Sequence, residues 1–377
     1  MAIAVLLILL VGIVLFVTEI IPLPVTAMSM CVAFYLTGAV DASTALAAFS
    51  SGTAMIIVCM AIVGEAVFKT GGAAKIAHVL TKFADSERKL MFVTVLFSGL
   101  MSGFLSNTGA AGLLIALILG ISLSTGMKRS KLMYPVIVGC CFGGGITIVG
   151  TTSGPYLKEA LEGLGTGMTF SFFEWAPLSL ILLVASAIYM ATIGYKLLPD
   201  GTHGGEAPEA PKDYSGVPAW KQIVSLVVLV VVILAMIFEK KIGIKIQVSA
   251  CIGAIVLVLT GVISEKEALK SIDLKVVLLF GGSLALAKAL ETTGAGSIIA
   301  DAIVGALGAN PNPMVLLVVI FAVGCALTNF MSNTATTALM VPIATSLAES
   351  LGADPRSMII ATVIACSCAY ATPIGMP

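Results

Sequence analysis

Two uncharged tripeptides have the make-up of a binding site rather than of a membrane helix. Ser106-Asn107-Thr108 and Ser332-Asn333-Thr334 each sit inside a long apolar tract, and each has a hydroxyl about one helical turn earlier, Ser102 and Thr328. An Asn side chain offers two donors and an acceptor, and Ser and Thr hydroxyls donate or accept. A helix restarting after each triplet, over 109–125 or 335–349, turns its first N–H groups and its positive dipole end toward the membrane midplane, which favours an anion. The helix before each triplet ends with carbonyls that have no intrahelical partner. Those carbonyls, with Ser102 or Thr328 and the Asn oxygen, make an all-oxygen cage for a hard cation. Sodium fits a neutral cage, whereas calcium and magnesium normally take carboxylates, and none is near either triplet. The rival reading is that Ser, Asn and Thr merely fasten helices across a packed interface. Repetition of the triplet, each time with a Gly/Pro-broken helix downstream (143–155 and 371–377), favours the site.

These residues must be positioned by membrane helices. The chain has 377 residues, of which 59% are hydrophobic and only 11% charged, with a mean hydropathy of +1.10. A soluble domain carries about 25% charged residues. The apolar runs approach the ~20 residues needed to cross a bilayer as a helix and do not alternate as barrel strands do. Lys and Arg number 20 and so do Asp and Glu, which leaves no basis for nucleic-acid binding. The run from Met1 to Val17 lacks a basic flank and a cleavage site, so it reads as a membrane helix rather than a signal peptide.

The spacing predicts spans over 2–20, 25–40 and 53–68, then 90–105 and 109–125 around the first triplet, then one from 132 into the Gly-rich break at 143–155. Spans follow at 176–198, 220–238, 246–263 and 276–290. The second triplet is flanked by 314–331 and 335–349, and a last span from about 357 runs into the break at 371–377. The polar stretch 199–218 reads as a linker between halves, with His203 a solvated loop residue.

The halves repeat. Leu36-Thr37-Gly38 matches Leu259-Thr260-Gly261, and Thr70-Gly71 matches Thr293-Gly294, both at an offset of 223; the triplets match at 226 and Thr147-Ile-Val-Gly150 matches Thr372-Pro-Ile-Gly375 at 225. Charge indicates that the repeats are inverted. Lys69, Lys75, Lys82, Arg88 and Lys89 precede the first triplet tract and Lys128, Arg129 and Lys131 follow it, so both its ends face the cytoplasm. The stretch 292–313 has no Lys or Arg, and only Arg356 with Asp354 follows the second tract, so both its ends face outside. Lys240, Lys241 and Lys245 fall outside in this scheme. A tract that starts and ends on one side is a re-entrant hairpin, tolerated where it lines a cavity. The expected architecture is therefore an all-α polytopic membrane protein. Its first inverted repeat covers 1–198 with a hairpin near 90–125, and its second covers 219–377 with a hairpin near 314–349. Two transmembrane helices are broken. Only the first half has a span after its break, so the second is expected to lack its final helix, and a helix is expected to be missing at the N-terminus.

Other candidates carry less chemistry. Glu19, Glu65, Lys288 and Glu291 lie near the ends of spans, where they either relay protons or snorkel to the interface. The eight cysteines lie mostly in apolar runs and read as small buried hydrophobes without zinc spacing. An intramembrane enzyme is disfavoured, since no His lies inside a span and no carboxylate pair faces a Ser; a hydrolytic activity lost on changing Ser106 or Ser332 would revive it.

The two Ser-Asn-Thr tips, the run Ser332-Asn333-Thr334-Ala335-Thr336-Thr337 and the segment Ala371-Thr372-Pro373-Ile374-Gly375 resemble the divalent anion/sodium symporters, which carry dicarboxylates, citrate or sulfate. The resemblance covers nearly the whole chain. It implies that Ser102, Ser106 and Asn107, with backbone near Ile146, hold one sodium. Thr328, Asn333 and the backbones of Met331 and Ala371 hold a second. Ser106, Asn107, Thr108, Ser332, Asn333, Thr334, Thr372 and Pro373 contact substrate. It also implies a homodimer. The family's broken helices continue Gly-Thr-Pro-Pro-Asn, whereas the first here reads Gly150-Thr151-Thr152-Ser153-Gly154-Pro155.

The expected function is sodium-coupled symport of a small divalent anion across the cell membrane. A C4-dicarboxylate is the leading substrate, because no basic side chain lies at either tip. The alternatives are a proton-coupled antiporter or an arsenite or sulfate transporter of the same superfamily, and an inactive or regulatory membrane protein.

Overall fold

The computed structural model of the chain describes all residues except 84, 126, 152, 199–213, 215, 308–311 and 371–377. Most of the predicted linker and the second break, with Ala371, Thr372 and Pro373, therefore lie outside the described residues. Every regular element described is helical, as lipid requires of a backbone that must satisfy its own hydrogen bonds.

In chain order the first elements are α1 (Ala2–Thr18), α2 (Leu23–Leu36), α3 (Ala42–Leu46), α4 (Gly52–Lys69) and α5 (Gly72–Ala77). The first triplet tract is α6 (Glu87–Ser102) and α7 (Asn107–Thr125), followed by α8 (Arg129–Gly143) and α9 (Gly154–Glu162). Next, α10 (Ala176–Tyr189) continues through a π-helical stretch, Met190–Gly194, into α11 (Tyr195–Leu197). The later elements are α12 (Ala219–Ile237), α13 (Glu239–Ile242), α14 (Ile246–Leu259), α15 (Glu265–Ser271), α16 (Leu274–Thr293), α17 (Ala295–Leu307), α18 (Pro313–Thr328), α19 (Asn333–Leu351) and α20 (Pro355–Cys366). Three helical runs among the described residues are long and apolar enough to cross a membrane: Ala42–Lys69, Ala176–Leu197 and Ala219–Ile237. The stretch 292–313, read as a connection, carries the helix α17, and 69–89 carries α5 and a 3-10 turn over His78–Phe83.

The element order recurs. Helices starting at Leu23 and Ile246, Ala42 and Glu265, and Gly72 and Ala295 are each 223 residues apart. Those starting at Glu87 and Pro313, Asn107 and Asn333, and Arg129 and Pro355 are each 226 apart. The matched tripeptides end matched helices in the same way. Gly38 and Gly261 follow α2 and α14 with φ of 72° and 71°, a left-handed turn that glycine adopts without strain. The preceding threonines also match: Thr37 donates its hydroxyl to Ala33 O at 2.8 Å, and Thr260 to Val256 O at 2.7 Å.

The chain forms two compact units. The first comprises Met1–Ile57, Thr152–Phe170 and Asp273–Pro377. In it α16 packs on α2 and α19, and α20 packs on α18 and α19. Its core is apolar and aromatic, with Phe34, Phe280 and Met331 buried. Tyr156 meets Phe280 edge-on at 5.1 Å. Asp354 caps α20; the Ser357 hydroxyl and then the Arg356 N–H hold its carboxyl below the usual range. Lys288, one of the span-end candidates, pairs with Glu291 at 2.7 Å and reaches Gly163 O at 3.3 Å.

The second unit comprises Val58–Thr151 and Ser171–Ile272. Here α6 lies along α8, and α10 packs on both. Glycines allow that approach: a Cβ on Gly143 would overlap the Gly99 backbone, and one on Gly139 would overlap Val95 and Ser98. Outside the spans, Ser264 and Glu267 form a reciprocal capping box at the head of α15. The Lys69 ammonium beside Glu267, with the Ser264 N–H and hydroxyl, holds the Glu267 carboxyl down at about 2.

Candidate functional site

Each triplet lies where a helix has stopped and another begins. In the second unit α6 ends at Ser102, four residues turn the chain, and α7 starts at Asn107. The Ser106 hydroxyl accepts from Gly109 N at 3.2 Å, satisfying one first-turn donor of α7. Ser102 is fully buried, and its hydroxyl donates to Asn107 Oδ1. Asn107 is half-buried, while Ser106 and Thr108 are exposed. The broken helix closes over this tip: α8 stops at Gly143, and Gly144–Ile146 form one 3-10 turn. Gly144 sits so close to Asn107 that an added Cβ would stand 2.6 Å from Oδ1 and 3.1 Å from Nδ2. Ile146 is buried, with its side chain beside Gly103. Thr147, also buried, donates to Gly103 O at 2.5 Å and so ties the break to the turn between α6 and α7.

The first unit repeats the pattern. There α18 ends at Thr328 and α19 starts at Asn333, with the Ser332 hydroxyl accepting from Ala335 N at 3.3 Å. Thr328 is fully buried. Its hydroxyl lies 2.8 Å from Asn333 Oδ1 and 2.5 Å from Cys366 O, the last residue of α20. Met331 is buried, and Ser332, Asn333 and Thr334 are half-buried. Two more hydroxyls follow along α19: Thr336 donates to Ser332 O at 3.1 Å and Thr337 to Asn333 O at 2.8 Å. Ser153 Oγ lies 2.9 Å from Thr337 Oγ1, both buried.

Ser102, Ser106, Asn107 and Ile146 are thus gathered in one unit, and Thr328, Met331, Ser332 and Asn333 in the other. Five contributors escaped sequence reasoning: Thr147, Gly144, the Cys366 carbonyl, Ser153 and Thr337. Thr147 and Ser153 do lie inside the Gly-rich break, and Thr337 ends the run Ser332–Thr337. The groups that define both tips are neutral oxygens and amides. Among the described residues, no three His, Cys, Asp or Glu side chains gather to hold a metal.

Known proteins share this sequence and fold. Residues 13–365 match the family model described as citrate transporter. The chain is 27% identical over 366 residues to an uncharacterized transporter of Methanocaldococcus jannaschii, covering 95% of this chain and 82% of that one. It is 26% identical over 427 residues to the sodium-dependent high-affinity dicarboxylate transporter 3 of Caenorhabditis elegans, covering 96% and 74%. The crystal structure of the Alcanivorax borkumensis YdaH transporter superposes with a TM-score of 0.58 at 15% identity, covering 88% of this chain and 77% of that one. At that identity the likeness is one of fold.

Proposed function

Since the chain belongs to the citrate transporter family, and so is a transporter of the cell membrane rather than an enzyme, we propose that it is a symporter coupling sodium to a divalent anion, with a C4-dicarboxylate the first candidate. The observation that carries the sodium reading is the set of neutral oxygens at the second tip: Thr328 Oγ1 lies 2.5 Å from Cys366 O and 2.8 Å from Asn333 Oδ1, and such oxygens suit sodium better than a divalent ion. At the first tip the Ser102 hydroxyl donates to Asn107 Oδ1, the counterpart of the Thr328–Asn333 contact.

The anion reading rests on the helix starts. Asn107 and Asn333 each open a 19-residue helix, and a helix N-terminus attracts negative charge. Two sodium ions beside a dianion make a package without net charge, which lowers the cost of holding it away from water. Asn107 and Asn333 serve both cation and anion in this scheme, so cation binding orders each tip before substrate enters.

The arms before the triplets, α6 and α18, have 16 residues each. At 1.5 Å per residue each falls short of a ~30 Å hydrocarbon core, as the arms of re-entrant hairpins do. The recurring helix starts support repeats over 1–198 and 219–377, and the charge pattern supports their inversion. The C. elegans relative named for sodium-dependent dicarboxylate transport favours the same substrate class. The homodimer follows from the family resemblance.

The test is uptake of labelled succinate into proteoliposomes under an inward sodium gradient, against a choline gradient and a pH gradient. Uptake that needs sodium supports symport. Uptake that ignores sodium and follows pH overturns it and favours the proton-coupled alternative, and uptake of sulfate or arsenite in place of succinate overturns the substrate.

A further inference from the structure

One cavity in the first unit plays no part in the tips. It lies where α9, α16 and α19 meet and has a volume of about 50 Å³, room for about three to five water-sized groups. Its interior is apolar: Tyr156, Phe280 and Val341 line it and are buried. Small residues keep the space open, Ala160 on α9, Gly163 just after it and Ala287 on α16.

One hydroxyl inside this cavity is unused. Ser283 lines it, is 7% exposed and makes no hydrogen bond among the described residues. A hydroxyl inside a helix commonly turns back on the carbonyl four residues earlier. Thr345, on the α19 wall, does so and donates to Val341 O at 2.7 Å. The Ser283 hydroxyl is instead left for an occupant, as donor or acceptor.

The same cavity is short of positive charge. Glu159, Glu291 and Glu349 line it, one from each helix, against the single ammonium of Lys288. Lys288 pairs with Glu291 at 2.7 Å and otherwise reaches only Gly163 O at 3.3 Å. Glu159 accepts only the Thr53 hydroxyl, at 2.7 Å, and Glu349 makes no hydrogen bond or ion pair among the described residues. Lys158, beside Glu159 in sequence, is taken by Glu162. Three carboxylates thus face one ammonium, and the cavity favours a cation.

A metal ion would use the carboxylates alone, and no three acidic, His or Cys side chains among the described residues gather to hold one. An organic amine uses every feature. We propose that the cavity binds a short-chain primary amine with a hydroxyl at its far end, the ammonium held by Glu159 and Glu349, the carbon chain against Tyr156 and Phe280, and the hydroxyl at Ser283. Five residues of α16, about 7.5 Å of helix rise, separate Ser283 from Lys288, a span that four carbons cover with a hydrogen bond at each end. The occupant would rest on Pro342, where α19 lacks one backbone donor nine residues after its start at Asn333. Occupancy should therefore steady the helix that opens at the second tip.

Thermal-shift titration of the full chain with aminobutanol (its polar groups at opposite ends), butylamine and hydroxybutyrate, at equal ionic strength, tests this. Aminobutanol should stabilise the wild type, butylamine should do so at about fivefold higher concentration for want of one hydrogen bond, and hydroxybutyrate should not. Ser283→Ala removes a hydroxyl that no described residue uses, so it should fold as wild type and take the two amines equally. Glu349→Gln, at an exposed position, should weaken both amines up to about fivefold, the size of an exposed ion pair. Glu265→Gln, an equally exposed charge in the second unit, should leave both midpoints in place. No stabilisation by aminobutanol, equal stabilisation by hydroxybutyrate, or the same midpoints in Glu349→Gln as in wild type or Glu265→Gln overturns the site. A preference for aminobutanol that survives Ser283→Ala overturns the hydroxyl as part of what is recognised.

Discussion

Replacing Thr328 with Val keeps the shape of a fully buried side chain and removes only its hydroxyl. Two consequences separate cleanly. Without sodium, Cys366 O loses a donor at 2.5 Å inside the core between α18 and α20. An unmade buried hydrogen bond costs about 1–3 kcal/mol, which lowers the melting temperature by a few degrees for a chain of this size. With sodium, the cage also loses an oxygen. Taking a contact to a charged group as about 1.5–3 kcal/mol, half-saturation should move up at least roughly tenfold, since each 1.4 kcal/mol is about a factor of ten. Thr328→Ser keeps the oxygen and loses a methyl, so it should lose stability while titrating with sodium within about threefold of wild type. The assay is a thermal-shift titration with sodium chloride against choline chloride, repeated as sodium-dependent uptake in proteoliposomes. A Val variant that melts lower but shows the wild-type sodium midpoint would refute the reasoning. The hydroxyl would then be a fastener between α18 and α20 and nothing more.

Asn107→Ala and Asn333→Ala should each weaken sodium dependence and transport together while leaving the folded fraction largely intact; wild-type uptake kinetics in either would make the tips structural only. Gly144→Ala places a methyl 2.6 Å from Asn107 Oδ1, so it should displace that side chain and raise half-saturating sodium, and an unchanged midpoint would show that Asn107 Oδ1 is no ligand. The Glu267 carboxyl, held at about 2 against an ordinary 4.5 by the Lys69 ammonium, contributes stability that is complete above about pH 4.5 and is lost as pH falls toward 2. The pair is nearly half exposed, so the contribution is below about 1 kcal/mol. Glu267→Gln should melt lower than wild type at neutral pH and converge with it in acid; parallel curves would show that the pair is inert.

The features legible in the sequence were those written as residue types at fixed spacing. Apolar runs gave the spans, and Ser-Asn-Thr marked the points where one helix stops and the next begins. The repeated Leu-Thr-Gly and Thr-Gly motifs became matched left-handed helix ends. Functions carried by backbone or by distant partners were not legible. The Cys366 carbonyl accepts from Thr328, and a carbonyl has no residue signature. Ser153 and Thr337 are 184 residues apart in the chain, so no local pattern joins them. Gly144 looked like part of a helix break, and only the approach of Thr151 and Asn107 shows why a side chain is excluded there. The helix α17 was passed over because its apolar run is short and interrupted by Asp301, and the π-stretch before Tyr195 has no compositional mark at all.

Repeat halves and compact units divide this chain differently, and the difference bears on mechanism. The first unit joins residues 1–57 to 273–377, while the second holds 58–151 with 171–272. The opening spans of each sequence half therefore share a unit with the triplet tract of the other half. Phe34 of α2 needs Phe280 and Leu286 of α16 for its core, and α12 packs on α14 in the unit that holds the first triplet. A tip is thus supported by helices that the opposite half encodes, so neither half has a complete core of its own.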